Sequence, residues 1–332
     1  MVFPTRAARI IAVVGAGMLA LTACADEDPG SANTAAGAGA QELTTVNVGV
    51  VPTLSLGVLA VGEEQGFFAD EGIKLNVVPV DSGPNVIAGL VAGQYHAGYT
   101  AYVPPLLAVG SGQDLRLVVG LGGTGTAGDN GGVLVRADSG IDSWADLPGA
   151  KLGTNAPRSA IVLWTQGAID AEGGDSTDLE LIPLPFNQIA EKVASGEIDA
   201  GVTLQPYEAQ AQVAFPELKN LGDPAAVWLP EGTPSGGLFT SAQTATEQAD
   251  LIDALRRATL ASVEYGNQHL DEVRTAGAAL AGLSAEDAEL IALQPFDTSV
   301  DAASFEPLLR GLRDFGWVES EIDLDAFLGE QG

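Results

Sequence analysis

The chain has 332 residues and carries 44 acidic side chains against 14 Lys and Arg, a formal net charge of −30. A protein this acidic repels the phosphate backbone of nucleic acids, so we exclude nucleic acid as a partner. The length exceeds what one hydrophobic core usually holds, which predicts two lobes.

The N-terminus has the organisation of a bacterial lipoprotein signal peptide. Arg6 and Arg9 precede an apolar run, residues 10–23, which is shorter than the roughly 20 residues that a membrane-spanning helix needs. The run ends in LTAC, residues 21–24, which has the form of a lipobox. We therefore predict cleavage after residue 23 and a lipid anchor on Cys24. The alternative is an ordinary cleaved signal peptide with a chance cysteine.

The segment after Cys24 contains no aromatic or branched aliphatic residue up to Glu42, which predicts a flexible tether. We therefore divide the chain into a signal peptide (1–23), an anchor and tether (24–42) and a folded body. Cys24 is the only cysteine, so we expect no intramolecular disulfide.

The folded body alternates short β-rich runs with amphipathic helical stretches, as is typical of α/β proteins. Strands are predicted at 46–51, 74–80, 97–100, 115–119, 132–136, 151–154, 179–183, 198–204 and 237–240. After residue 240 the strands stop, and helical patterns predict a C-terminal cap. These helices are expected at 242–268, 271–281, 285–293, 302–315 and 324–328.

Two segments, 132–136 and 235–240, enclose a self-contained block of strands and helices, and we interpret them as crossings between lobes. This assigns 43–134 and 236–332 to lobe 1 and 135–235 to lobe 2. Ligands of open α/β sheets bind beyond the carboxyl ends of the strands, so the loops that follow strands are expected to form the site.

In lobe 1 these loops contain hydroxyl and phenol groups. We predict ligand contacts from Thr53 and Ser55 after the first strand, from Ser82 after the second, and from Tyr99 and Thr100 at the third. Ser55 could instead cap the helix that follows it, and the two roles are compatible.

In lobe 2 the predicted ligand contacts are Asn155, Arg158, Ser159, Gln205 and Tyr207. Arg158 has two interpretations, because a cation near a helix N-terminus opposes the helix dipole. It is either an ion-paired surface residue or a clamp for a sulfonate or carboxylate, which a guanidinium binds through two hydrogen bonds.

Residues 123–128 match the dinucleotide pattern GxGxxG, but the segment leads into a strand instead of a helix. We therefore exclude a dinucleotide site and expect a loop at the cleft mouth, with Thr124 as a ligand contact. His96 and His269 have no partner at metal-ligand spacing. Neither a metal nor a cofactor is predicted.

Several short motifs occur in a characteristic order. They are GFFADEGIKL at 66–75, GQYHAG at 93–98, GQDLR at 112–116, ADLPG at 145–149, GEIDAG at 196–201 and FGW at 315–317. Together they resemble the nitrate/sulfonate/taurine-type substrate-binding proteins of ABC importers, which include binders of thiamine precursors. The sequence departs from this family at His96, where an acidic residue is usual.

The resemblance implies an α/β, two-lobed periplasmic-binding-protein fold of type II, each lobe a mixed sheet flanked by helices, with a helical C-terminal cap. It implies a hinge-closing binding protein that delivers a small solute to ABC permease subunits. With the lipobox, this predicts a monomer that is lipid-anchored to the outer face of the cell membrane, and Arg158 favours a small organic anion as the solute. The alternative ligand is a thiamine-type pyrimidine or another heteroaromatic, stacked on tyrosine or tryptophan.

Two other functions were weighed. An enzyme of pyrimidine synthesis on the same fold is disfavoured, because the cysteine-rich motif that accompanies that chemistry in relatives is missing from the sequence. A signalling or adhesion lipoprotein remains open, and loss of uptake on deletion would separate it from a transport protein.

Overall fold

The structure is a computed structural model that describes residues 42–124, 131–289, 291 and 293–329. The predicted signal peptide, Cys24 and most of the predicted tether lie outside these ranges. The strands are β1 Thr44–Val50, β2 Ile73–Pro79, β3 Ala97–Ala101, β4 Leu115–Gly120, β5 Gly132–Arg136, β6 Lys151–Thr154, β7 Glu180–Pro183, β8 Ala200–Thr203, β9 Leu218–Asn220 and β10 Gly236–Ser241.

The helices in the described ranges follow the same alternation. They are α1 Gly57–Glu64, α2 Phe67–Asp70, α3 Gly83–Val91, α4 Val103–Gly110, α5 Ala160–Ala171, α6 Phe186–Ala194, α7 Tyr207–Ala214, α8 Pro224–Trp228, α9 Ala242–Glu247, α10 Ala249–Gln268, α11 Leu270–Ala281, α12 Ala285–Glu289, α13 Glu306–Asp314 and α14 Leu324–Leu328. Short 3₁₀ turns cover Leu54–Leu56, Trp144–Asp146, Ser176–Asp178 and Ala302–Phe305. No helix in the described part of the chain is long and apolar enough to cross a bilayer.

Every predicted strand has a counterpart whose bounds differ by two residues or fewer. The prediction missed β9, a short edge strand in which Lys219 and Asn220 have low strand propensity. It also joined α9 and α10 into one helix, whereas Gln248 adopts a non-helical conformation between them. The helix predicted to reach residue 293 ends earlier, since Leu293 is not helical.

The strands form two mixed sheets of five, with orders β2-β1-β3-β10-β4 and β7-β6-β8-β5-β9. In the first, β10 runs antiparallel to β3 and β4, and in the second, β5 runs antiparallel to β8 and β9. We call these sheets and the helices on them the first and second lobes. The chain enters the first sheet from the other lobe through β10 and enters the second sheet through β5. In each sheet this entering strand is the one that runs antiparallel to its neighbours.

This pairing corrects the predicted lobe boundary. The boundary after Leu134 falls inside β5, but all of β5 pairs with strands of the second sheet. The first crossing therefore lies between β4 and β5. The return crossing leads into β10, which begins at Gly236, as the predicted boundary requires.

The two crossing segments, Leu121–Thr124 and Gly232–Gly236, are hydrogen-bonded to each other, and we call them the hinge. Leu121 N–H donates to the Gly236 carbonyl at 2.9 Å, and Thr124 N–H donates to the Thr233 carbonyl at 2.7 Å. Gly232 N–H donates back to the Thr124 carbonyl at 2.7 Å. The lobes are thus joined by a two-stranded ribbon.

The predicted division assigned all C-terminal helices to lobe 1, and the structure corrects this. Helices α10 and α11 pack on α1, so this part of the cap does cover the first lobe. Helix α13 instead packs on α5 and α8 of the second lobe, where the Trp228 ring fills the space beside Gly167 and Gly311. A Cβ on either glycine would lie within 2.2 Å of a Trp228 ring atom.

The α1–α11 contact also fixes the turn that precedes α1. A Cβ on Gly57 would lie 1.9 Å from the Val273 carbonyl oxygen, and one on Gly277 would lie 2.1 Å from the Leu54 carbonyl oxygen. Only glycine allows the two backbones to approach this closely. The Leu54–Leu56 turn is therefore held against α11.

Tyr102 lies in the core of the first lobe, packed edge-to-face against Phe239 and Phe305 with ring centroids 5.2 and 4.9 Å away. Its hydroxyl is buried and has no hydrogen-bond partner among the described residues. Burial raises the pKa of Tyr102, because the phenolate form would be charged in an apolar core. The hydroxyl therefore costs stability.

We expect Tyr102→Phe to raise the free energy of unfolding by about 1 kcal/mol at pH 7, because it removes an unpaired buried polar group. Tyr102 ionises in the unfolded chain near pH 10, below its pKa in the folded state, so the wild type loses stability as the pH rises above about 10. The advantage of the variant should therefore grow between pH 9 and 10.5. Urea unfolding of the wild type and the variant at pH 7, 9 and 10.5 measures both effects, and a variant that is less stable than the wild type at pH 7 would contradict the first.

Candidate functional site

A cavity of about 160 Å³ lies between the two lobes. Its walls come from the carboxyl ends of β1, β3, β6 and β8 and from the segments that follow them, as predicted for an α/β sheet. The lining residues include Val51, Thr53, Ser55, Gly83, Tyr99, Thr100, Leu121, Gly122, Asn155, Ser159, Ala160, Ile161, Trp164, Phe186, Leu204, Ser235, Leu293, Gln294 and Phe296.

The first lobe supplies hydroxyl groups to this wall. Thr53 and Ser55 lie at the 3₁₀ turn that is fixed against α11, and Tyr99 and Thr100 lie in β3. Burial raises the pKa of Tyr99, and hydrogen bonding to the Ser55 side chain only partly opposes this shift. Tyr99 is therefore a neutral phenol at physiological pH.

The second lobe contributes Asn155, Ser159 and Trp164. Asn155 follows β6 directly, and its Nδ2 donates to the Asp81 carbonyl of the first lobe at 3.3 Å, so this bond joins the lobes beside the cavity. Ser159 is the N-cap residue of α5, and Trp164 lies in the second turn of the same helix. Helix α5 therefore begins at the cavity.

Four polar atoms of the wall are buried without a hydrogen-bond partner among the described residues. They are Thr53 Oγ1, Asn155 Oδ1, Ser159 Oγ and Trp164 Nε1. An unsatisfied buried polar group costs about 1–3 kcal/mol, so several of them beside one cavity indicate a place where a ligand or ordered water would be bound. They come from both lobes, as a ligand held between the lobes would require.

Apolar side chains form another part of the wall. Leu121, Phe186 and Leu204 are joined by Leu293 and Phe296 from the segment after α12. This last contribution was missed, because Leu293 was assigned to a helix and no strand precedes the segment. None of the described lining residues carries a charge at neutral pH.

Comparison with known proteins assigns the family. The family model described as NMT1/THI5 like matches residues 55–273, more than half of the chain. The chain belongs to the NMT1/THI5-like family. The family resemblance inferred from the sequence motifs is thereby confirmed.

Two curated relatives of this NMT1/THI5-like protein are named as solute-binding proteins. A putative aliphatic sulfonates-binding protein of Bacillus subtilis (strain 168) is 27% identical over 171 residues, 50% of each chain. The bicarbonate-binding protein CmpA of Synechococcus elongatus is 28% identical over 199 residues, 53% of this chain and 44% of CmpA. The chain thus spans about half the length of the curated relatives it matches.

A solved structure supports the fold. The periplasmic aliphatic sulphonate binding protein SsuA from Escherichia coli matches with a TM-score of 0.68 over 86% of this chain and 97% of SsuA, at 20% sequence identity. At this identity the likeness shows the fold alone. The predicted two-lobed fold of mixed sheets with a helical C-terminal region is therefore confirmed.

Of the predicted site residues, Thr53, Ser55, Tyr99, Thr100, Asn155 and Ser159 line the cavity of this NMT1/THI5-like protein. Arg158, for which the sequence left open a surface ion pair or an anion clamp, is exposed and is not part of the wall. Its Nη2 donates to the Trp317 carbonyl at 2.5 Å, and the guanidinium lies 5.3 Å from the centre of the Trp317 ring. Arg158 thus binds a backbone oxygen and a ring in the C-terminal segment.

Gln205 and Tyr207 lie behind the wall. Gln205 Nε2 donates to the buried carboxylate of Glu208 at 2.5 Å, a group that also accepts from Asn220 Nδ2 at 2.9 Å. The Tyr207 ring stacks on Phe186 at 5.4 Å, so Phe186 separates it from the cavity. Neither Gln205 nor Tyr207 lines the cavity.

Ser82 and Thr124 are buried but do not line the cavity. Ser82 is the N-cap residue of α3. Thr124 belongs to the hinge, where its Oγ1 donates to the Pro230 carbonyl at 2.7 Å and accepts from Thr233 N–H at 3.1 Å. The rest of the predicted cleft-mouth loop, 125–130, lies outside the described residues.

The sequence predicts no metal site at His96 or His269, and the structure describes both residues. The described residues do not bring three or more His, Cys, Asp or Glu side chains together as metal ligands. His96 Nδ1 accepts from Asn47 N–H at 3.0 Å, and His269 stacks on Tyr265 with ring centres 3.9 Å apart. Each histidine therefore has a local structural role.

We expect Thr124→Val to lower the free energy of unfolding by about 1–2 kcal/mol, because it deletes both hydrogen bonds of the Thr124 hydroxyl while keeping the shape of the side chain. Thr275→Val is the matched control, since Thr275 is exposed and its hydroxyl bonds only to the Asp271 carbonyl of its own helix. The control should change stability by less than about 0.5 kcal/mol in urea unfolding. Equal effects of the two variants would show that Thr124 does not stabilise the hinge.

Proposed function

We propose that this protein is the extracytoplasmic solute-binding component of an ABC importer and that it captures a small organic anion, such as an alkanesulfonate, in the interlobe cavity. The observation that carries the proposal is the set of four unpaired buried polar atoms, which come from both lobes and surround one cavity. The fold and the solutes for which the relatives are named agree with it. The solute would pass to permease subunits from a monomer.

The cavity dimensions favour an organic ligand. A cavity of about 150 Å³ accommodates a benzene ring, and the cavity in this protein measures about 160 Å³. Its apolar walls would match a hydrocarbon body, whereas bicarbonate or nitrate has no such part. Among the relatives' ligands, an aliphatic sulfonate therefore fits the cavity better than bicarbonate.

The donors favour an anionic head group. Trp164 Nε1 is a donor only, and the hydroxyls of Thr53 and Ser159 also donate. Together they can surround an oxoanion without any cation in the described wall. Closure would complete this ring of donors, since Thr53 belongs to the first lobe and the other two belong to the second.

A flat heteroaromatic is the second candidate ligand, because Tyr99, Trp164, Phe186 and Phe296 place aromatic rings in the wall. Catalysis is not proposed. General acid–base chemistry needs a group that titrates near neutral pH. The described wall offers only Tyr99, whose pKa is raised by burial.

The lipid anchor also remains a proposal. Cys24 lies outside the described residues, and its role is supported by the LTAC motif after a short apolar run. A diacylglycerol on its sulfur, with the segment 25–42 as a tether, would keep the folded body near a permease in the same membrane.

We expect pentane-1-sulfonate at 100 times its Kd to raise the free energy of unfolding by about 2.7 kcal/mol, because a ligand that binds only the folded state stabilises it by mass action. A thermal-shift screen should give smaller shifts for nitrate, bicarbonate and the aminopyrimidine of thiamine at the same concentration. If only the pyrimidine shifts the unfolding temperature, the ligand is the heteroaromatic candidate and not an organic anion. No shift with any of them would contradict solute capture from these classes.

Thr53→Val tests whether the cavity is the binding site. It keeps the shape of Thr53 and removes one donor, so the affinity for the sulfonate should fall about tenfold. Thr246→Val is the control, since that hydroxyl is exposed and bonds to the Ala242 carbonyl in its own helix. Equal affinities for the two variants would place the ligand elsewhere.

We expect Cys24→Ser to abolish lipid attachment and to move the protein from the membrane fraction into the soluble fraction or the medium, because the serine hydroxyl cannot form the thioether. Mass spectrometry of the mature N-terminus measures the modification directly. If unaltered protein lacks a lipid, or starts at a residue other than Cys24, the segment is an ordinary signal peptide.

A further inference from the structure

The two polar walls of the cavity differ in how their groups are satisfied. In the first lobe, Thr53 Oγ1 is the one wall atom that is buried without a hydrogen-bond partner among the described residues, and the Ser55 and Thr53 hydroxyls both lower the pKa of the Tyr99 phenol beside them. In the second lobe, Ser159 Oγ and Trp164 Nε1 have no partner among the described residues, and these side chains are only 5% and 4% exposed. The second lobe therefore has more polar wall atoms without a hydrogen-bond partner than the first lobe has.

Backbone N–H groups of the second lobe also lack hydrogen-bond acceptors beside the cavity. Helix α5 is 12 residues long, and the N–H groups of its first turn have no acceptor within the helix. Ser159 is extended at the N-cap, yet its side chain makes no capping hydrogen bond. Ala160 and Ile161 line the cavity, so the positive end of the α5 dipole faces it.

Trp164 adds a requirement that a hydroxyl does not. An indole N–H donates and cannot accept, so its partner must be an acceptor. The ring is one turn beyond the start of α5 and lines the same cavity as Ser159. A single acceptor-rich group beside this part of the wall would satisfy the indole, the hydroxyl and the first-turn amides.

We infer that the N-terminus of α5, the Ser159 hydroxyl and the Trp164 indole N–H form one seat for the anionic head of the ligand. Trp164 is the specificity-determining residue of this seat. The inference rests on the proposed function and adds the chemical class of the ligand. That class is a monoanionic oxoacid with several acceptor oxygens and an apolar body, which packs against Phe186, Leu293 and Phe296.

The test compares two ligands of nearly equal size, butane-1-sulfonate and butane-1-sulfonamide, by titration calorimetry with the full chain. The sulfonamide keeps two oxygens but is neutral, so the wild type should bind it at least tenfold more weakly. Trp164→Phe keeps an aromatic ring and removes the N–H donor together with part of the ring volume, and the Trp228→Phe control reports what the same truncation does away from the cavity. Trp164→Phe should weaken butane-1-sulfonate binding about tenfold or more, since a hydrogen bond to a charged group is lost.

Trp228→Phe is the matched control, because Trp228 packs between α5 and α13 and does not line the cavity. It should bind the sulfonate within about twofold of the wild type. Ser159→Ala is a second seat variant in case Trp164→Phe does not fold, since it removes only one oxygen. It should also weaken sulfonate binding, by about fivefold or more.

The possible failures are distinguishable. If the wild type binds butane-1-sulfonate but Trp164→Phe and Ser159→Ala bind it within twofold of the wild type, the seat is wrong and the proposed function stands. If the wild type binds the sulfonamide as tightly as the sulfonate, the head group of the ligand is not recognised by its charge, and the inference is wrong. If the wild type binds no sulfonate at all, the ligand class in the proposed function fails, and the inference fails with it.

Discussion

The hinge is the constraint on which the rest of the structure depends. Because Leu121–Thr124 and Gly232–Gly236 are paired through backbone hydrogen bonds, the crossing that leads into β5 and the one that returns to β10 lie side by side. This places β5 and β10 antiparallel at corresponding positions of the two sheets. The strand ends that carry polar loops then face one another across a single cavity, and a small rotation about the ribbon changes the distance between them.

The negative net charge of the protein opposes the binding of an anion in the cavity. A protein with a net charge of −30 repels anions at long range, although salt screens this repulsion beyond about 8 Å at physiological ionic strength. None of the described lining residues carries a compensating cation. An anion would therefore depend on local neutral donors and a helix terminus, which act at contact distance in a site from which water is excluded. Neutral donors also avoid the cost of desolvating a buried guanidinium.

The sequence predicted the fold well and the site in part, for physical reasons. Strands with valine-rich cores and glycine boundaries have a local signal, and the rule that ligands bind at strand ends located Asn155 and Ser159. The unpaired indole of Trp164 was beyond such reasoning, because only tertiary packing decides whether a buried donor has a partner. The two interpretations of Arg158 could not be separated for the same reason, since its partner, Trp317, is 159 residues away in the chain.

The position of Trp317 bears on how the lobes move. Helix α13 packs on the second lobe, whereas Val318 packs beside Gly110 of the first lobe and Ser320 Oγ donates to the Gly110 carbonyl. The C-terminal segment therefore crosses between lobes within a few residues of Trp317, far along the chain from the hinge. Arg158 holds this crossing to the loop that carries Ser159. Any opening of the cavity must either carry this loop and the C-terminal segment together or break the Arg158–Trp317 contact.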